Sequence, residues 1–142
     1  MRSLTSRLQR RGASAIEFAL CLPIFCAIVF GIIEYGWVFF QQANVIAAVR
    51  EGARLGVTMP RTSDPEGTAV AEVRNTLRGV GYTAAQVDAA TITASVTDST
   101  ANGAPSDAMT VDARVPYQQI IGLIPVPPEI HAEMTMMMEF QD

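Results

Sequence analysis

The sequence predicts an α+β protein: a long N-terminal helix followed by a small domain in which a second helix packs on a three-stranded antiparallel sheet. Three observations predict it. Phe18 to Ile33 carries no charge, and only Glu34 interrupts the apolar character before Phe40. The next stretch, QQANVIAAVREGARLGV, contains no proline, and Val45, Ile46, Val49 and Leu55 recur at near-helical spacing. From Thr91 onward, apolar and polar residues alternate in three separate runs, as strands with one buried face require.

The long helix comes first. A bilayer core of ~30 Å needs about 20 helical residues, so residues 17–37 suffice for one crossing. Its orientation follows from charge. Arg2, Arg7, Arg10 and Arg11 precede it without an acid, whereas all fourteen acids lie beyond residue 12; the net charge of −4 becomes −8 without those four arginines. Short arginine-rich flanks stay on the cytoplasmic side, so the N-terminus is inside and the acidic remainder is exported. Tyr35 and Trp37 stand at the far interface, where Glu34 is expected to reach headgroups or water. Acidity of the exported part and the absence of lysine exclude a nucleic-acid partner.

The helix is expected to continue to Val57, ~68 Å from Ala13. Pro23 is expected to kink it, with Gly31, Gly36 and Gly52 as further soft points. Arg50 and Arg54, four apart with Glu51 beside them, read either as a partner-docking patch or as a locally paired solvent face.

The exported domain is expected over residues 58–142. Asp64-Pro65 opens a second helix with an N-cap acid and a proline in the first turn; Val70, Val73 and Leu77 give it an apolar side, and Gly79 to Gly81 end it near residue 78. Strands are expected over about 90–97, 108–116 and 130–140, with a turn across 98–107. Pro125, Pro127 and Pro128 in PYQQIIGLIPVPPE limit that segment to a short turn at 118–123 and an extended stretch, its isoleucines covering the sheet or meeting a partner. Met134, Met136 and Met138 alternate inward as core filler, and His131 is assigned to the surface; no metal is expected. Cys21 and Cys26 point about 140° apart around the helix, so they are read as packing residues.

A secretory signal would have a shorter apolar run with small cleavage residues after it. Here Gly12-Ala13-Ser14-Ala15 precede the apolar run, so a cut there removes the basic leader, residues 1–12, and keeps the helix. RRGASAIEFALCLPIF, followed by FGIIEYGWVFFQQANVIAAVREGARLG, resembles the TadE-like pseudopilins, minor components of the tight-adherence (Flp-type) pilus machinery. The resemblance covers about residues 10–56. It implies cleavage by a prepilin peptidase between Gly12 and Ala13 on the cytoplasmic face of a bacterial inner membrane. It further implies other pilins and Tad assembly proteins as partners, and possible incorporation into a pilus. Phe18 follows Glu17 where Flp-type major pilins usually carry tyrosine, which favours a minor component.

After such a cut Glu17 would lie one helical turn from the new ammonium on Ala13, and its carboxylate could pair with the ammonium of a neighbouring subunit. The alternative is an acid that simply suits a helix N-terminus. No phosphate loop, Cys-x-x-Cys, Ser-His-acid set or paired-histidine motif occurs, so neither an enzyme nor a cofactor is expected. Two other readings stay open: an uncleaved single-pass scaffold of a Tad or type II-like secretion machinery, and a tethered exported binding or enzymatic domain.

Overall fold

In the computed structural model, which describes residues 3–101, 104–122 and 124–138, a single helix (α1, Ser3–Val57) runs for 55 residues. It starts ten residues before the expected Ala13, because the leader's leucines, glutamine and arginines are good helix formers and no proline precedes Pro23. From Ala15, α1 is long and apolar enough to cross a membrane. Ile16, Leu20 and Ile24 are 64–71% exposed along this half.

The second half of α1 has a buried face. Glu34, Val38, Gln41, Val45, Ala48, Val49, Gly52, Ala53 and Gly56 recur at helical intervals and are all buried. Small residues dominate its C-terminal end, whereas Ile46 is 37% exposed. The apolar stripe expected from Val45, Ile46, Val49 and Leu55 is therefore only half the true face, since alanine and glycine carry the rest.

Close approach explains those small residues. Helix α2 (Pro65–Gly79) buries Ala69, Val73 and Leu77 against α1. A Cβ added at Gly52 would stand 2.5 Å from Val73 Cγ2 and 2.8 Å from the carbonyl oxygen of Ala69. Gly52 is thus a contact between helix backbones, not a soft point. Gly52→Ala is expected to destabilise the fold by about 1–2 kcal/mol net: overpacking costs ~1–3 kcal/mol against at most ~1 kcal/mol gained in helix propensity. Thermal unfolding followed by circular dichroism checks this, and a raised midpoint would mean that the helix pair has slack.

The ends of α2 follow the sequence. Asp64 accepts from Gly67 N at 3.0 Å with Pro65 at the first position. At the other end, Gly81 N and Tyr82 N donate to Arg78 O and Leu77 O, a Schellman closure. A short helix, α3 (Ala84–Ala89), was not expected. Its signal is the capping box Thr83-Ala84-Ala85-Gln86, in which Thr83 and Gln86 bond each other's backbone amides.

Strands β1 (Thr91–Ala101), β2 (Ala104–Pro116) and β3 (Glu129–Met137) form one antiparallel sheet in the order β1-β2-β3. Ile92, Met109, Val111, Ala113, Val115, Ile130 and Ala132 point into the core, and Met134, Met136 and Met138 pack partly buried against it. The expected turn over 98–107 is instead strand almost throughout, paired down to Ala101 opposite Ala104. Register sets Asp98 opposite Asp107, a like-charge pair that would normally weaken a ladder. Arg61 resolves it by reaching Asp98 at 2.8 Å and Asp107 at 2.5 Å. The last strand ends at Met137; the expected Phe140 lies outside the described residues.

Candidate functional site

Gly12 and Ala13 lie within continuous helix backbone. One turn on, Glu17 is exposed and Phe18 is 67% exposed, on the half of α1 that no described part of the domain covers. At the other end, Arg54 grips Glu51 with Nη2 to Oε1 at 2.6 Å and Nε to Oε2 at 3.1 Å. That bond and the adjacent positive charge hold the Glu51 carboxyl below its ordinary range. Glu51 and Arg54 thus form a solvent-facing pair within one helical turn, while Arg50 stands exposed beside them.

The polar centre that joins helix to domain is Glu34. Contrary to expectation, it reaches neither headgroups nor water, for it is 1% exposed. The connection between β2 and β3, Tyr117 to Pro128, folds over it. Tyr117 OH donates to Oε1 at 2.8 Å, and the backbone amides of Ile120 and Ile121 donate to Oε1 at 3.2 Å and Oε2 at 2.9 Å. Successive amides converging on one carboxylate form an anion-binding nest. Gly122, at φ +70°, turns the chain immediately after them in a conformation that L side chains rarely adopt.

Further contacts fix the connection. Tyr117 N donates to Pro128 O at 2.9 Å and closes its neck; Ile124 Cδ1 would be 3.2 Å from a Cβ on Gly31; Tyr35 OH reaches Pro125 O at 3.5 Å. The expected short turn is a bend at Ile120 and Ile121, whose amides are taken by the carboxylate and not by an internal ladder. Burial, reinforced by the Glu34 carboxylate, pushes the Tyr117 phenol up to about 12, so it remains a donor across the physiological range. Glu34 was legible as an oddity in an apolar run, but its donors lie more than eighty residues away and no local signal announces them.

Next to this junction is a cleft of about 320 Å³ bordered by Trp37, Phe40, Asn44, Tyr82, Gln118 and Ile120. Tyr82 OH closes its floor by donating to Gln41 at 3.4 Å. On the outer face of the sheet, Asp112, His131 and Glu133 bring ligand atoms within 4.8 Å of one another. His131 and Arg114 already partner Asp112 there, so the cluster reads as an exposed ion-pair group.

Residues 12–54 match the family model described as TadE-like protein. The match starts at the glycine of the GASAIEF motif and ends within α1, three residues short of its last turn's end at Val57. No curated protein and no solved structure matches the chain.

Proposed function

We propose that this chain, TadE-like over residues 12–54, is a membrane-anchored minor pilin or pseudopilin used in assembling a Tad-type pilus. In this reading a prepilin peptidase cuts between Gly12 and Ala13 at the cytoplasmic face of the inner membrane. The domain beyond α1 lies on the exported side. The observation that carries it is the coincidence of three features at one place: a basic leader, a family match that begins at Gly12, and an exposed apolar helix directly after it.

The chemistry of each residue follows. Glycine in a helix interior is ~0.5–1 kcal/mol less stable than alanine, so Gly12 marks a place where the backbone opens readily for a protease. Cleavage frees an ammonium on Ala13, and Glu17, one turn away, offers the matching carboxylate to a neighbouring subunit displaced along the assembly axis. Near the edge of the bilayer Glu17 costs less than the ~2.5–3.5 kcal/mol of a charge at its centre, and pairing offsets part of that. Arg50, exposed on the far part of α1, is the charge we assign to contact with an assembly partner.

The continuous helix through Gly12 and Ala13 favours a second reading, an uncleaved single-pass scaffold of a secretion machinery, because a helical peptide bond must unwind before it can be cut. Intact mass and N-terminal sequence of the protein from its own cell envelope separate the two. A mature chain starting at Ala13 is expected; a retained Met1 leader would leave the scaffold.

A further inference from the structure

We infer that the Tyr117–Pro128 connection is a second membrane contact, seated beside α1 in the boundary between headgroups and acyl chains of a phospholipid bilayer. The inference rests on the reading of α1 as a membrane anchor and adds a non-helical element to it.

Composition is the first ground. The twelve residues from Tyr117 to Pro128 contain no charged side chain, in a chain whose remainder beyond α1 is acidic, and they carry Ile120, Ile121, Ile124 and Val126. A connection facing only water has no reason to concentrate these, yet Ile120 is 54% exposed. Position is the second. The connection touches α1 at Gly31, Glu34 and Tyr35, so it adjoins the last residues of the uncharged run that ends at Ile33. The exposed apolar half of the helix and the connection therefore adjoin. The third ground is the ring of aromatics at the same level: Tyr35, Trp37, Phe39 and Phe40 are 36–67% exposed, and amphipathic rings collect at the membrane interface.

Glu34 makes this placement tolerable. Irregular backbone near a bilayer must find partners for its amides. Glu34 supplies them for Ile120 and Ile121, while Tyr117 and Pro128 satisfy each other at the neck. The bilayer boundary then falls at Glu34, not at residue 37, and the span shifts toward residues 13–33, still ~31 Å. Seating ~5–10 Å into the boundary by apolar contact alone makes the connection indifferent to lipid charge.

The test uses the full chain in phosphatidylcholine vesicles, with and without phosphatidylglycerol. Trp37 is the chain's one tryptophan, so Trp37→Phe combined with Ile120→Trp reports on the connection alone, and Trp37→Phe with Ile28→Trp reports on the helix. The indole at position 120 is expected to emit at short wavelength. Bromines near the headgroup end of the acyl chains should quench it several-fold more than bromines near the chain ends or aqueous acrylamide, equally in both lipids. If position 28 is quenched by lipid bromine while position 120 responds only to acrylamide, the connection is not a membrane contact although the anchor stands. Blue emission at position 120 that appears only when a second protein or copy is added would also overturn it, in favour of a protein interface. If neither position responds to bromine, the anchor reading itself fails.

Discussion

Replacing Glu34 with alanine is expected to release the Tyr117–Pro128 connection from α1 and to lower the thermal midpoint of the full chain more than any single donor change does. The carboxylate is the common acceptor of Tyr117 OH and of the Ile120 and Ile121 amides. Its loss strands all three donors in a site from which water is excluded, and an unmade buried hydrogen bond costs more than a made one contributes. Tyr117→Phe removes one charge-assisted bond and leaves the nest intact, so it is expected to cost about 1.5–3 kcal/mol. Glu34→Gln should fall between them, because its amide keeps one acceptor oxygen but turns an NH2 toward backbone N–H. Hydrogen exchange reads the effect directly. The Ile120 and Ile121 amides should lose protection in Glu34→Ala while Val111 and Val115 in the central strand keep theirs. Unchanged protection at 120 and 121 would mean that packing of Ile124 on Gly31, not the carboxylate, holds the connection.

Gly12→Val is expected to abolish processing: nearly all of the protein should keep the mass of the uncleaved chain, and piliation should be lost with it. A β-branched residue stiffens the backbone where a protease must open it and adds bulk at the residue whose carbonyl is attacked. Glu17→Ala is the complementary variant. It leaves Gly12 and the apolar run untouched, so insertion and cleavage should proceed while assembly fails. Normal piliation by uncleaved Gly12→Val would sink the pilin reading, and normal assembly by Glu17→Ala would remove the ammonium pairing while sparing the cleavage.

Elements whose cause is local were legible in the sequence, except α3, whose capping box at Thr83 and Gln86 went unread. The long helix, the Asp64-Pro65 start of α2 and the inward faces of the three strands each follow from spacing or capping, and each is present. The misreadings occurred where a distant residue decides. The strand hairpin extends past Asp98 because Arg61 stands between two aspartates whose pairing no local pattern reveals. Gly52 read as a soft point because hydropathy does not register a neighbour's backbone at van der Waals distance. Glu34 was placed in headgroups or water because its partners belong to a connection that periodicity leaves blank. Gly12, Ala13, Glu17 and Phe18 were found from the sequence by their order along the chain, and their proposed roles depend on that order more than on any contact within the fold.

The buried face of α1 has a mechanical consequence. It begins at Glu34 and continues without a gap to Gly56, ~33 Å of helix laid along the domain. A pull on α1 from its N-terminal end therefore loads that seam in shear. Carboxylate nest, aliphatic packing and the backbone contact at Gly52 share the tension together instead of peeling one after another. A chain built this way can be drawn lengthwise by its N-terminal helix with its domain still folded.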